Sequence, residues 1–160
     1  LVSAGRLVYG SIFSDIVADW LMANESWLWV LEERIPSITK AGSATLDKLL
    51  AELKNQQWLE QDVFAIHLSL EEAIVNAILH GNAGDPEKLV EITFQVSETE
   101  LRVEIVDEGS GFNPDVLPDP TADENLEKPS GRGVMLMRHY MDHVQYNKAG
   151  NQVVMVKKRS

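Results

Sequence analysis

The sequence predicts an α+β fold, a two-layer α/β sandwich in which helices cover one face of a mostly antiparallel sheet. Three observations carry that expectation. Two stretches, KLVEITFQVSETELRVEIVDEG (88–109) and VQYNKAGNQVVMVKK (144–158), each hold two runs around a turn-prone centre, the pattern of a hairpin. Three other stretches place apolar residues at helical spacing. The resulting order is strand, two helices, hairpin, long loop, helix, hairpin, which segregates the helices from the strands.

Each element has its own local reason. Residues 3–22 can form an amphipathic helix with Leu7, Val8, Phe13, Ile16, Val17 and Trp20 apolar, so residues 1–24 read as an N-terminal extension, either an extra helix or a processed end, to a domain over 25–160. SWLWVLEERIPS alternates in part and stops at Pro36, which predicts a strand over 27–35. SATLDKLLAELKNQQW spaces Leu46, Leu49, Leu50, Leu53 and Trp58 as a helix, with Ser43 or Thr45 as cap. A second helix runs from near Gln61 to His80, and Gly81 follows where a left-handed end costs little. SETE (97–100) turns the first hairpin and KAGN (148–151) the second. Between them, residues 110–130 hold Pro114, Pro118, Pro120 and Pro129, a long loop of the kind that carries function. GVMLMRHYMDHV (133–144) reads as a helix opening directly on a Gly-rich turn.

Composition narrows the chemistry. The chain has 160 residues, 44% hydrophobic and 24% charged, which suits one globular domain. Its formal net charge of -11 argues against broad contact with nucleic acid or an anionic membrane, both of which reward Lys and Arg. A nucleotide needs only local donors and stays allowed. There are no cysteines, so disulfides and thiolate metal sites are excluded and a reducing, cytoplasmic setting is expected. No run of about 18 apolar residues marks a membrane span. The partly apolar N-terminal stretch is interrupted by Asp15 and Asp19 and lacks a clean signal-peptide cleavage site.

The polar residues of the second long helix form a line. Glu72, Asn76 and His80 sit four apart, on one helix face, with the small Ala73 and Ala77 beside them and Leu70, Ile74 and Ile78 behind. A solvated polar face has this pattern too, but Asn is a poor helix former. Its amide oxygen suits a hard cation such as Mg²⁺, and a carboxylate one turn earlier can take a proton from a hydroxyl or water. Two glycine motifs follow. VEIVDEGSGF ends a strand on Asp107, then Gly109, Gly111 and Phe112; alternate glycines let backbone approach a planar ligand, and Asp accepts from an exocyclic amine. The same residues make ordinary turns. SGRGVMLM sets Gly131, Arg132 and Gly133 ahead of a helix whose N-terminal N–H groups suit phosphate. It lacks the Gly-Lys-Ser/Thr of a P-loop and follows a loop rather than a dinucleotide-binding strand.

In this order the three motifs resemble the ATP-binding fold shared by gyrase, Hsp90, histidine kinases and MutL, the GHKL or Bergerat-type fold. EEAIVNAILHGN, DEGSGFNPDVLPDP and PSGRGVMLMRHYMDHVQYN are most similar to the stand-alone anti-sigma-factor serine/threonine kinases, over roughly residues 27–158. The resemblance implies ATP and Mg²⁺ as ligands, with Asn76 holding the metal and Glu72 as general base. It implies that His80 and Gly81 close the helix at the pocket edge, that Asp107 binds the adenine amine, and that Gly109, Gly111 and Phe112 shape the adenine wall. Residues 114–130 would form a lid over ATP, and Gly131, Arg132, Gly133 and Val134 would meet the phosphates. The family often has a Thr on the last long strand beside the adenine; Val154 stands at the aligned place here. No Arg directly precedes Ser130, which leaves Lys128 or Arg132 for the γ-phosphate.

The implied activity is transfer of phosphate to a serine of a STAS-type anti-anti-sigma protein, with a sigma factor as the alternative partner and a homodimer as the expected assembly. Two rival readings are a module that binds ATP and a partner without catalysis, and a histidine-kinase catalytic domain. The second lacks a separate helix carrying a phospho-acceptor. His67, His139 and His143 share no metal spacing and read as packing or surface residues, and the four tryptophans as core or interface.

Overall fold

The computed structural model describes residues 26–111 and 132–160. The helix expected over 3–22 and the loop from Phe112 to Gly131 lie outside them. Strand β1 (Trp29–Pro36) leads into helix α1 (Thr39–Asn55) and helix α2 (Glu60–Val75). Strands β2 (Leu89–Val96) and β3 (Glu100–Asp107) form the first hairpin. Helix α3 (Arg132–Tyr140) precedes the second, β4 (His143–Tyr146) and β5 (Gln152–Lys158). The five strands order as β1-β2-β3-β5-β4, every pair antiparallel. This is the α+β sandwich the sequence predicts.

Register explains the layers. Ile35 pairs with Val90, Ile92 with Ile105, Phe94 with Val103, and Ile105 with Val153, so one side chain in two along each strand reaches the same face. That face carries the core with Leu49, Leu53, Ile66, Leu70, Ile74 and Ile78 from the helices. Phe94, Val103, Leu70 and Ile78 are each 0% exposed, the sort of site where every lost methylene is felt. The 22-residue helical run Glu60–Gly81 is apolar and long enough to cross a membrane by length and composition, but its greasy side is the one packed on the sheet. The opposite sheet face is polar: Arg102 bonds Gln95 Oε1 at 2.9 Å and lies 3.6 Å from Glu104.

Two helix ends differ from expectation. Helix α1 starts at Thr39, four residues before Ser43, with Ile38 as cap and no side-chain cap bond. Thr45 is interior and 2% exposed; its hydroxyl donates to Glu33 Oε2 at 2.7 Å, tying α1 to β1. Lys48 also bonds Glu33. Helix α3 stops at Tyr140 rather than Val144, because residues 143–146 are taken by pairing with β5. After β5, Arg159 caps the carbonyls of Gln56 and Gln57 and lies over the Trp58 ring at 5.6 Å, while Ser160 bonds both oxygens of buried Asp62.

Candidate functional site

Helix α2 does not end at Val75 but continues as a π-helical turn, Asn76–Gly81. Such turns are rare and concentrate where a helix must re-aim side chains. Asn76 is the first residue of the wider turn. Its amide nitrogen donates to Glu72 Oε1 at 3.1 Å, so the first two members of the polar line do meet. That bond commits the nitrogen and leaves the amide oxygen as a neutral donor for a cation. His80 is exposed and lies within the π turn, beside Gly81.

Close backbone approach joins the three motifs. A Cβ on Gly81 would lie 2.4–2.6 Å from the carboxyl group of Asp107, and one on Gly109 would lie 2.1 Å from the Gly81 carbonyl oxygen. A Cβ on Gly133 would lie 1.9 Å from Glu72 Oε1. Glycine at these three places is therefore what lets the end of α2, the end of β3 and the start of α3 converge. Gly111 adopts φ +75° against the Ala149 carbonyl, which seats the loop after β3 on the β4–β5 turn.

Asp107 is half-buried. Its Oδ1 accepts the Gly109 N–H at 2.8 Å, and its own N–H donates to Asn151 O at 3.0 Å. Desolvation pushes its carboxyl above the ordinary value, against the lowering effects of the Gly109 bond and of Lys88. Arg132 is exposed at the first position of α3, and Gly133 is buried against Glu72. Val134 is 6% exposed and its side chain belongs to the core, so its backbone is what it can offer a ligand. Phe112, Gly131 and Lys128 lie outside the described residues.

Three further residues emerge. Register places Val154 opposite Glu104 and Gln145, on the sheet face turned away from Asp107; Val153, opposite Ile105, is the β5 residue on Asp107's side. Neither Val154 nor Val153 offers a hydroxyl there. Tyr146, the cross-strand partner of Val153, brings a phenol to that face. Burial raises its pKa to about 12; Arg138 opposes the shift, and the negative fields of Glu72 and Asp107 add to it. Asn82, 0% exposed, bonds across the junction of α2 and β3. In sequence it is one more polar residue after a helix-ending Gly, a common turn composition, and Tyr146 is an ordinary strand aromatic.

The donor set suits a nucleotide with a hard cation. Among the described residues no group of three or more His, Asp or Glu could hold a metal by itself. An oxygen-ligand ion that keeps waters and shares phosphate oxygens needs no such cage. Asn76 has an amide oxygen not used in its bond to Glu72, Asp107 carries a half-buried carboxylate, and α3 begins beside Glu72.

Residues 39–157 match a protein-family model described as the histidine kinase-like ATPase domain. An anti-sigma F factor of Bacillus cytotoxicus is 38% identical over 88 residues, covering 53% of this chain and 60% of that protein. Anti-sigma F factors of Bacillus cereus and Bacillus thuringiensis are 36% identical over the same length and shares. The chain thus spans 60% of the length of these curated relatives. Among solved structures, the RsbU and RsbW domains of Rv1364c from Mycobacterium tuberculosis superpose with a TM-score of 0.54 at 13% identity, over 82% of this chain and 32% of that one. At that identity the likeness speaks to fold.

Proposed function

Because the chain belongs to the histidine kinase-like ATPase domain family, we propose that it is an ATP-dependent serine kinase of the partner-switching kind. In this reading it phosphorylates a STAS-domain anti-anti-sigma protein and holds a sigma factor as its alternative partner. The observation that carries the reading is the convergence of Gly81 on Asp107 and of Gly133 on Glu72. It sets an amine acceptor at one end of a site and a carboxylate beside a helix N-terminus at the other. The name of the curated relatives, anti-sigma F factor, supports a sigma factor as one partner.

Asp107 accepts the adenine amine, and the first N–H groups of α3 meet the phosphates. Asn76, its nitrogen fixed by Glu72, presents its oxygen to Mg²⁺. Bound Mg²⁺ supplies positive charge that offsets charge on the phosphate oxygens. Glu72 takes the serine hydroxyl proton as the serine oxygen bonds to the γ-phosphorus. The bond from that phosphorus to the bridging oxygen breaks, and ADP leaves.

Incubation with γ-labelled ATP and a panel of STAS proteins tests this. Labelled serine on one of them is expected, with transfer by Glu72→Ala reduced by about 10²–10⁴-fold while nucleotide still binds. ATP binding without transfer to any STAS protein would replace the kinase with a non-catalytic ATP-binding module.

A further inference from the structure

Asn82 follows the π turn and is 0% exposed. Its backbone N–H continues the helix by donating to Ala77 O at 2.9 Å. Its side chain points elsewhere and is fully used. Nδ2 donates to Ser37 Oγ and to the Leu89 carbonyl, each at 2.9 Å. Oδ1 accepts the N–H of Glu108 at 2.8 Å. One amide thus ties the end of α2 to the segment after β1, the start of β2 and the end of β3. Ser37 gives its own proton to Lys88 O at 2.8 Å, so toward Asn82 it acts as acceptor. The site therefore calls for two donors and one acceptor in a neutral group, which an amide provides and a carboxylate does not.

The acceptor end bears on function. Glu108 N belongs to the peptide bond that follows Asp107, so the Oδ1 contact fixes the plane from which the Asp107 side chain leaves β3. Glu108 Oε2 accepts Leu89 N–H at 2.6 Å, and the carbonyl of the Asp107–Glu108 peptide accepts Asn151 Nδ2 at 3.2 Å, so Asn151 holds the other side of the peptide whose N–H Asn82 grips. Nothing else in the described contacts grips that N–H. The Asp107 carboxyl meanwhile lies against Gly81, the residue before Asn82. Asn82 thus locks the acceptor of one motif to the helix that carries Asn76 and Glu72.

We infer that Asn82 is a positioning residue for base recognition: by holding the Asp107–Glu108 peptide it aims Asp107 at the exocyclic amine and sets the preference for a 6-amino over a 6-oxo purine. The inference rests on the adenine role proposed for Asp107. It predicts that loss of Asn82 changes which nucleotide is preferred, beyond any effect on folding.

Calorimetry of the full chain with Mg²⁺ and either ATP or ITP reads this. Wild type is expected to favour ATP by at least about tenfold, the scale of one hydrogen bond to a charged acceptor. Asp107→Asn and Asn82→Ala should both bring the ratio toward parity. Thr45→Ala, which breaks a tie between α1 and β1 that touches neither Asp107 nor Asn82, should lose stability and keep the ratio. A ratio kept in Asn82→Ala but lost in Asp107→Asn overturns the role of Asn82 alone. No preference in wild type, or none lost in Asp107→Asn, overturns the adenine reading and this inference with it. If Asn82→Ala does not fold, Asn82→Ser, whose shorter arm does not span to Glu108, is judged by the same ratio. A Glu108 amide exchanging in folded wild type at the rate of an unprotected amide also overturns it.

Discussion

At the scale of single residues, Asn76 and Asp107 make separable predictions. Asn76→Ala removes the amide oxygen proposed to hold Mg²⁺ and frees Glu72 of its partner. Calorimetry should show Mg²⁺-dependent ATP binding lost, with the far-ultraviolet dichroism unchanged. Asp107 has a pH signature. Desolvation raises its folded pKa above the unfolded value, so ionisation works against the fold. The stability present below the ordinary aspartate pKa is lost as pH rises through the raised one. Asp107→Asn should therefore melt higher than wild type at neutral pH without ligand, and the gain should vanish on acidification, as thermal unfolding across a pH series would show. Nucleotide affinity should run the other way, falling as the solution is acidified through the raised pKa, because a protonated carboxyl no longer accepts from an amine with both oxygens. Spacing and strand-end position made Asn76 and Asp107 candidates in sequence, their roles coming only from the family resemblance, and the structure brings Asn76 to Glu72 and Asp107 to Gly81. Asn82 was not a candidate, since a buried amide hub is defined by partners far apart in the chain, Ser37, Leu89 and Glu108.

At the scale of elements, the glycines predict two different failures. At Gly133 the obstacle to a Cβ is the flexible end of Glu72. Gly133→Ala should displace that carboxylate and lower the proposed phosphoryl transfer by about 10²-fold, the usual cost of a misplacement near 1 Å. Its helix gains alanine's propensity, so stability should move by less than about 1 kcal/mol. At Gly109 the obstacle is the backbone carbonyl of Gly81, which cannot swing aside. Gly109→Ala should cost about 1–3 kcal/mol of stability in urea unfolding, with nucleotide binding impaired as well. Sequence periodicity located α2 well, but a 3.6-residue repeat has no way to announce the π turn at Asn76–Gly81; that widening arises where the helix end must meet Asp107. The start of α1 was missed for a related reason. Ser43 and Thr45 look like caps, yet Thr45 spends its hydroxyl on Glu33 across the β1–α1 contact, a tertiary use of a residue with a local reputation.

At the scale of the whole molecule, the alternating runs disclosed the sheet, because each inward position pairs with another inward position across all the registers. Strand order was not so disclosed: hairpin patterning says that β4 and β5 pair, not that β5 is the one that docks on β3. Phe94 sits in the interior strand β2, opposite Val103 of β3, and is fully buried. Phe94→Ala should cost about 3–5 kcal/mol in chemical denaturation. The position of β5 also constrains how the protein is made. It emerges from the ribosome after every other strand, yet it is an interior member of the sheet, lying between β3 and β4. Until it arrives, nascent β3 shows a bare row of amides and carbonyls, a template for wrong partners. Pairing β3 with β5 also closes a long loop, a slow step in folding. The emergence of β5, rather than the synthesis of any earlier helix, is then the moment at which the five-stranded sheet and its converging motifs can first assemble.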